Sequence, residues 1–155
     1  MEDLSLHVLD VAENALAAGA TRIEIRVLED HRENMLRIEI QDNGRGMDEQ
    51  AARLALDPFF TTKPAKRVGL GLPLLAQAAR EADGHLEIES APGNGTLVRA
   101  SFRLDHPDLR PMGDMLQTMA ALAGAHPRVQ FVFCHRRNGA VLSQWSSNPA
   151  NAART

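Results

Sequence analysis

A single cysteine, Cys134, leaves no partner for an internal disulfide and fits a reducing compartment. No basic leader precedes an apolar run, and no run approaches the roughly 18 apolar residues that a membrane helix needs. Those absences predict a cytoplasmic protein. Charge of one sign is scarce as well: 17 Lys and Arg against 20 Asp and Glu leave a net charge of -3. No overall basic field is available to recruit nucleic acid. There is no internal repeat. What the chain does have is length and apolar content: 155 residues, 44% hydrophobic, are enough to bury one sizeable core.

Periodicity divides the chain into elements. Residues 4–18 are predicted helical, stopped by Gly19, with Leu6, Leu9, Ala12 and Leu16 as the apolar stripe. On another face of that helix Asp10 and Asn14 stand one turn apart, which sets a short carboxylate and a short amide side by side. Residues 21–29 and 35–41 alternate apolar and polar positions and predict two adjacent strands. "DNGRGM" (42–47) follows, then a helix opening near Asp48. Residues 58–69, with two prolines and a basic cluster, predict an irregular loop. A helix over 70–84, with Pro73 in its first turn, leads to strands in "HLEIES" and "GTLVRASFRL" joined by "APGNG". Beyond His106 come a helix with Met112, Met115, Met119 and Leu122 along one stripe, and a hairpin around Asn138-Gly139. The last ten residues are predicted to fray.

Asp-Asn-Gly alone is turn chemistry. Here, however, a strand runs into a helix through two glycines, Gly44 and Gly46, and glycines at such a crossing let the backbone approach a ligand closely. "VGLGL" (68–72) repeats the device, with Gly69 and Gly71 ahead of a helix whose first amides suit phosphate. No Gly-Lys-Ser/Thr follows, so it is not a Walker loop, and the GxGxxG spacing of a dinucleotide fold is absent. Other polar groups carry less. Cys134 and His135 are neighbours on one strand and point to opposite faces, which argues against a shared metal. His7 is either a surface residue or a neighbour of the site. The methionine stripe reads as core, with an adaptable partner surface as its alternative.

Taken in order, "LDVAENALAAGATRIEI", "DNGRGM", "DPFFTTK", "VGLGL" and "GNGT" resemble the ATPase superfamily of DNA gyrase, Hsp90 chaperones, histidine kinases and mismatch-repair ATPases, the Bergerat fold. The likeness spans about residues 4–104. It implies an α/β two-layer sandwich, a mixed, mostly antiparallel sheet with helices on one face, and ATP with Mg²⁺ as ligands. By this resemblance Asn14 offers its amide oxygen to Mg²⁺, and Asp42 accepts a hydrogen bond from the adenine amino group. Gly44 and Gly46 pass close to base and ribose. Phe60, Thr62 and Lys63 fall in a lid, where Lys63 meets the terminal phosphate. Gly69 and Gly71 set the helix N-terminus under the phosphates, and Thr96 supports the adenine and Asp42 network. Met47, Leu70 and Leu72 belong to the same segments and are carried over as nucleotide-binding positions. The lid is short, since eight residues, Thr61 to Val68, separate Phe60 from Gly69.

One position departs from the pattern. Four residues before the metal-binding Asn the hydrolases of this superfamily commonly carry Glu as general base; this chain has Asp10, one methylene shorter. Glu13 is a rival, but it projects about 100° away from Asn14 on the helix. Asp10 and Lys63 are therefore the expected catalytic residues. Residues 1–105 are expected to form the ATP-binding domain, 106–145 an appended helix and hairpin packed on it, and 146–155 a flexible tail. Histidine kinases carry a phosphoacceptor helical hairpin before this domain, and none precedes the Asn-bearing helix here. The expected function is thus a regulatory protein kinase or ATPase acting on a separate partner protein, with a homodimer allowed. The alternatives are an ATP-gated protein-binding switch with slow or no hydrolysis, and a fragment of a longer kinase.

Overall fold

The computed structural model describes residues 3–56 and 71–147. Helix α1 (Leu4–Ala17) begins at Asp3, whose side chain accepts the Leu6 amide at 3.2 Å and so satisfies one of the donors a helix start leaves over. It ends at Gly19, in the left-handed region at φ +82°, where the Ala20 amide turns back to the Ala15 carbonyl at 3.1 Å. The chain then enters β1 (Arg22–Asp30) and returns as β2 (Met35–Asp42). Asp48 caps the short α2 (Glu49–Leu54) through the Ala51 amide at 2.8 Å. Helix α3 (Gly71–Glu81) is shorter than the predicted 70–84, because Asp83 takes a positive φ of 60° and the Gly84 amide closes on the Ala79 carbonyl at 2.7 Å. There follow β3 (Leu86–Ser90), β4 (Thr96–Arg103), α4 (Met115–Ala125), β5 (Gln130–Arg137) and β6 (Ala140–Ser146).

The six strands form one sheet in the order β3-β4-β2-β1-β5-β6. Every pairing is antiparallel except β1 with β5, which α4 makes possible as a crossover. Asn138 and Gly139, at φ +51° and +85°, turn the β5–β6 hairpin as the strand twist requires. Alternation sends Ile23, Ile25, Val27, Ile38, Ile40, Val98, Ala100, Phe102, Phe131 and Phe133 to one face, where α1, α3 and α4 complete a single core. The other face bears charge. Glu39, nearly buried, accepts from Arg26 at 2.8 Å and from Arg99 at 3.1 Å. Burial pushes the Glu39 carboxyl up, but the two guanidiniums outweigh it and hold the group below its usual range.

One expectation for α1 needs correction. Its buried stripe is Leu4, Val8, Val11, Ala12 and Ala15, whereas Leu6 is 42% exposed and Leu9 and Leu16 are only half-buried. Apolar residues occur all around this helix, so spacing alone leaves the phase of the stripe open. Of the two readings left open for His7, the surface one fails, since the residue is 2% exposed on the buried side of the helix. The segment after 105 is tied to the start of the chain. The Leu4 amide donates to the Pro111 carbonyl at 2.8 Å and that of Ser5 to Met112 at 3.0 Å. Met115, Met119 and Leu122 of α4 are buried in the shared core.

Candidate functional site

Helix α1 presents Asp10 and Asn14, both half-buried, along the edge where it meets α3 and the loop after β2. The contact with α3 is very close. A Cβ added to Gly71 would stand 2.7 Å from the Cβ of Asp10 and 3.1 Å from the Val11 nitrogen. Only glycine therefore lets the first turn of α3 come against Asp10. Gly71→Ala overpacks this junction and is expected to cost about 1–3 kcal/mol in urea unfolding. Gly124→Ala, in open space on α4, is expected to gain up to about 1 kcal/mol instead.

Further along, α1 anchors the Asp-Asn-Gly loop. The Arg45 amide donates to the Ala18 carbonyl at 3.0 Å, and Gly44 lies buried against Ala18, one turn beyond Asn14. Asn43 fastens the loop to the head of β1: its Oδ1 accepts the amides of Thr21 and Arg22 at 2.8 and 2.9 Å, and its Nδ2 donates to the Thr21 hydroxyl at 2.9 Å. Asn43 thus holds the loop in place, which frees Asp42 beside it for another task. Gly46, at φ +73°, fits against the Ala91 carbonyl, which any Cβ would strike.

Asp42 closes β2 between Ile23 on β1 and Thr96 on β4. Its Oδ1 accepts the Gly44 amide at 2.7 Å. Burial raises its carboxyl above the ordinary value, and the Gly44 amide offsets only part of that shift. A half-buried carboxylate with one oxygen committed and burial opposing its charge is a poised acceptor for a ligand donor. Beside it Thr96 Oγ1 and Ser90 Oγ lie 2.8 Å apart, and Ser90 Oγ also accepts the Met47 amide at 2.8 Å and donates to the Gly95 carbonyl at 2.9 Å. Ser90 escapes the sequence reading. The hairpin register that pairs it with Thr96 is the signal that finds it.

The structure therefore gathers Asp10, Asn14, Asp42, Gly44, Gly46, Met47, Gly71 and Thr96 around the C-terminal half of α1 and the ends of β2 and β4. Leu72 differs in place: it is buried in the hydrophobic core beneath α3. Phe60, Thr62, Lys63, Gly69 and Leu70, and with them the expected lid, lie outside the described residues. Glu13 is exposed, so it does not share the half-buried position of Asp10. Among the described residues no group of three or more His, Cys, Asp or Glu side chains could hold a metal ion. A cation beside Asn14 would need phosphate oxygens and water to complete its shell, which is how Mg²⁺ usually meets protein with nucleotide.

A mixed six-stranded sheet with helices on one face, and with polar residues gathered where α1, the end of β2 and the start of β4 meet, makes an α/β domain with a candidate ligand site at one end of its sheet. The family model for histidine kinase-, DNA gyrase B- and HSP90-like ATPases matches residues 2–106, and the chain belongs to that family. It is similar to the signal transduction histidine-protein kinase AtoS of Escherichia coli, 35% identical over 108 residues, covering 69% of this chain and 17% of that protein. Against the tetrathionate sensor histidine kinase TtrS of Salmonella typhimurium it is 38% identical over 93 residues, covering 57% of this chain and 15% of the other. The chain thus spans about a sixth of the length of these relatives. Among solved structures it resembles the N-terminal domain of a DNA repair protein, with TM-score 0.66, 16% identity and coverage of 96% of this chain and 54% of the other. The Aquifex aeolicus MutL ATPase domain complexed with ADP gives TM-score 0.54 and 17% identity, covering 99% of this chain and 66% of that one. Among the described residues no helix is long and apolar enough to cross a membrane.

Proposed function

We propose that the chain binds Mg·ATP between α1, the Asp-Asn-Gly loop and the start of α3, and that it serves as a cytoplasmic signal-transduction ATPase or protein kinase acting on a separate partner protein. The observation that carries this reading is Asp42: half-buried at the end of β2, it keeps one carboxylate oxygen on the Gly44 amide and the other for a ligand. In this role Asp42 accepts the adenine amino group, and Asn14 offers its amide oxygen to the cation. Asp10 orients the attacking group. The first amides of α3, brought in by Gly71, face the phosphates. When bound, Mg²⁺ supplies charge neutralisation of the phosphates. Lys63 is proposed to meet the terminal phosphate.

A second reading is an ATP-gated switch that closes on nucleotide and reshapes a partner surface with little hydrolysis. Asp10 favours it, being one methylene shorter than the glutamate of the family's hydrolases. Purified protein incubated with Mg·ATP labelled on the terminal phosphate tests both. Saturable retention with release of free phosphate supports the enzyme. Retention without release supports the switch, or a kinase lacking its substrate. Absence of retention overturns the nucleotide assignment.

A further inference from the structure

The charged face of the sheet holds a second feature, at the opposite end from Asp42. There a cavity of about 370 Å³ is lined by Leu28, Met35, Arg32, Arg37 and Arg136, together with the β1–β2 turn and the Asn138-Gly139 hairpin. Strand register explains how it forms. Leu28 on β1 lies between Arg37 on β2 and Arg136 on β5, so the three make one row across the sheet. Two strand spacings set the arginine Cα atoms about 9.5 Å apart, a separation from which two guanidiniums can converge on one group. Leu28 stands between them, and Met35, two positions before Arg37 on β2, adds a second apolar lining residue.

These arginines differ from their neighbours on the same face. Arg26 is matched to Glu24 and Glu39, and Arg99 to Glu39, Glu87 and Glu89. Arg32, Arg37 and Arg136 form no ion pair among the described residues, and Arg37 has only the Met35 sulfur at 3.7 Å. The Arg37 Nε–H is buried without an acceptor, an expensive state for a charged donor. Two carboxylates, Glu29 and Asp30, line the same cavity and are engaged within the protein. Asp30 accepts the amides of Arg32 and Glu33 in the turn, and Glu29 holds His31, His135 and Arg137.

We propose that Arg37 and Arg136, with Arg32 at the rim, form a binding site for an oxyanion carried on a small apolar body. The fork of a guanidinium matches carboxylate and phosphate alike, and Leu28 and Met35 take the body. The site lies about 17 Å along β2 from Asp42, so it stands or falls apart from the nucleotide reading.

The test follows the Arg37 Nε–H resonance of the ¹⁵N-labelled full chain during titration with benzoate, and separately with phenyl phosphate. A saturable shift of that resonance is the expected result, with benzoate alone pointing to carboxylate ligands and phenyl phosphate alone to phosphorylated ones. Arg136 is exposed and unpaired, so Arg136→Gln is expected to leave the fold intact and to weaken binding about tenfold. Arg37→Lys keeps the charge but loses the fork, and with it that resonance; followed instead through the Leu28 backbone amide, it is expected to weaken binding at least as much. A resonance unmoved by either probe overturns the proposal. So does a shift of equal affinity in the Arg136→Gln protein.

Discussion

Asp42→Asn is expected to lose ATP binding by about 10- to 100-fold while leaving the protein at least as stable as before. The loss follows from hydrogen-bond direction. The substituted side chain keeps an oxygen for the Gly44 amide and then turns an NH₂ group, a donor, toward the adenine amino group, also a donor. The stability result follows from burial, which raises the Asp42 carboxyl above its ordinary value of 3.8. The folded state then binds more protons than the unfolded state as this group titrates, so its contribution to stability falls as pH rises past 3.8. An amide does not titrate and escapes that loss. Thermal melts of both proteins between acid and neutral pH check this, and equilibrium binding of a fluorescent ATP analogue checks affinity. A variant that binds normally removes Asp42 from base recognition. One that melts well below the wild type makes it a structural residue.

Deleting residues 106–155 is expected to abolish cooperative folding, although the family match ends at residue 106. The deletion strips β5 from the edge of β1 and removes Met115, Met119, Leu122, Phe131 and Phe133 from the shared core. At about 1.5–3 kcal/mol for each buried side chain, that is roughly 7–15 kcal/mol, comparable with the whole stability of a domain. The deletion also removes the Pro111 and Met112 carbonyls that hold the first turn of the helix bearing Asp10 and Asn14. Urea unfolding followed by circular dichroism decides it. A sigmoidal transition for residues 1–105 would show that the C-terminal segment is an accessory.

How much of this is visible before the structure depends on how local the cause is. The alternation at Ile23-Ile25-Val27 and Leu36-Ile38-Ile40 reports directly which side chains share a sheet face, and the Asn138-Gly139 pair reports its turn. The apolar phase of α1 is ambiguous because Leu4, Leu6, Val8, Leu9 and Val11 surround the helix, and only the positions of α3 and α4 decide which of them are covered. Nothing local says that β5 lies parallel beside β1 rather than at the far edge of β3. At the site, Asp42 and the glycines are legible through their motif order. Ser90 is not, since a lone serine ending a strand carries no signal until the β3–β4 register sets it against Thr96. The opposite-end arginines are invisible for the same reason: Arg37 and Arg136 are 99 positions apart in the chain, 136 minus 37, and meet only across Leu28.

The parallel pairing of β1 with β5 also fixes a timetable. Arg22 of β1 pairs in register with Gln130, so 108 residues, 130 minus 22, are added after Arg22 before its partner is in the chain. At about 5–20 residues per second, a ribosome takes roughly 5–20 seconds to deliver them. During that interval β1 and β2 can close as a hairpin, but the outer edge of β1 is exposed to any strand nearby, and the underside of α1 lacks α4. A nascent chain stalled before residue 130 therefore offers the edge of β1 as a template for aggregation, an edge that β5 covers in the finished protein. Synonymous codon changes that slow translation between β4 and β5 lengthen that exposure without altering a single residue.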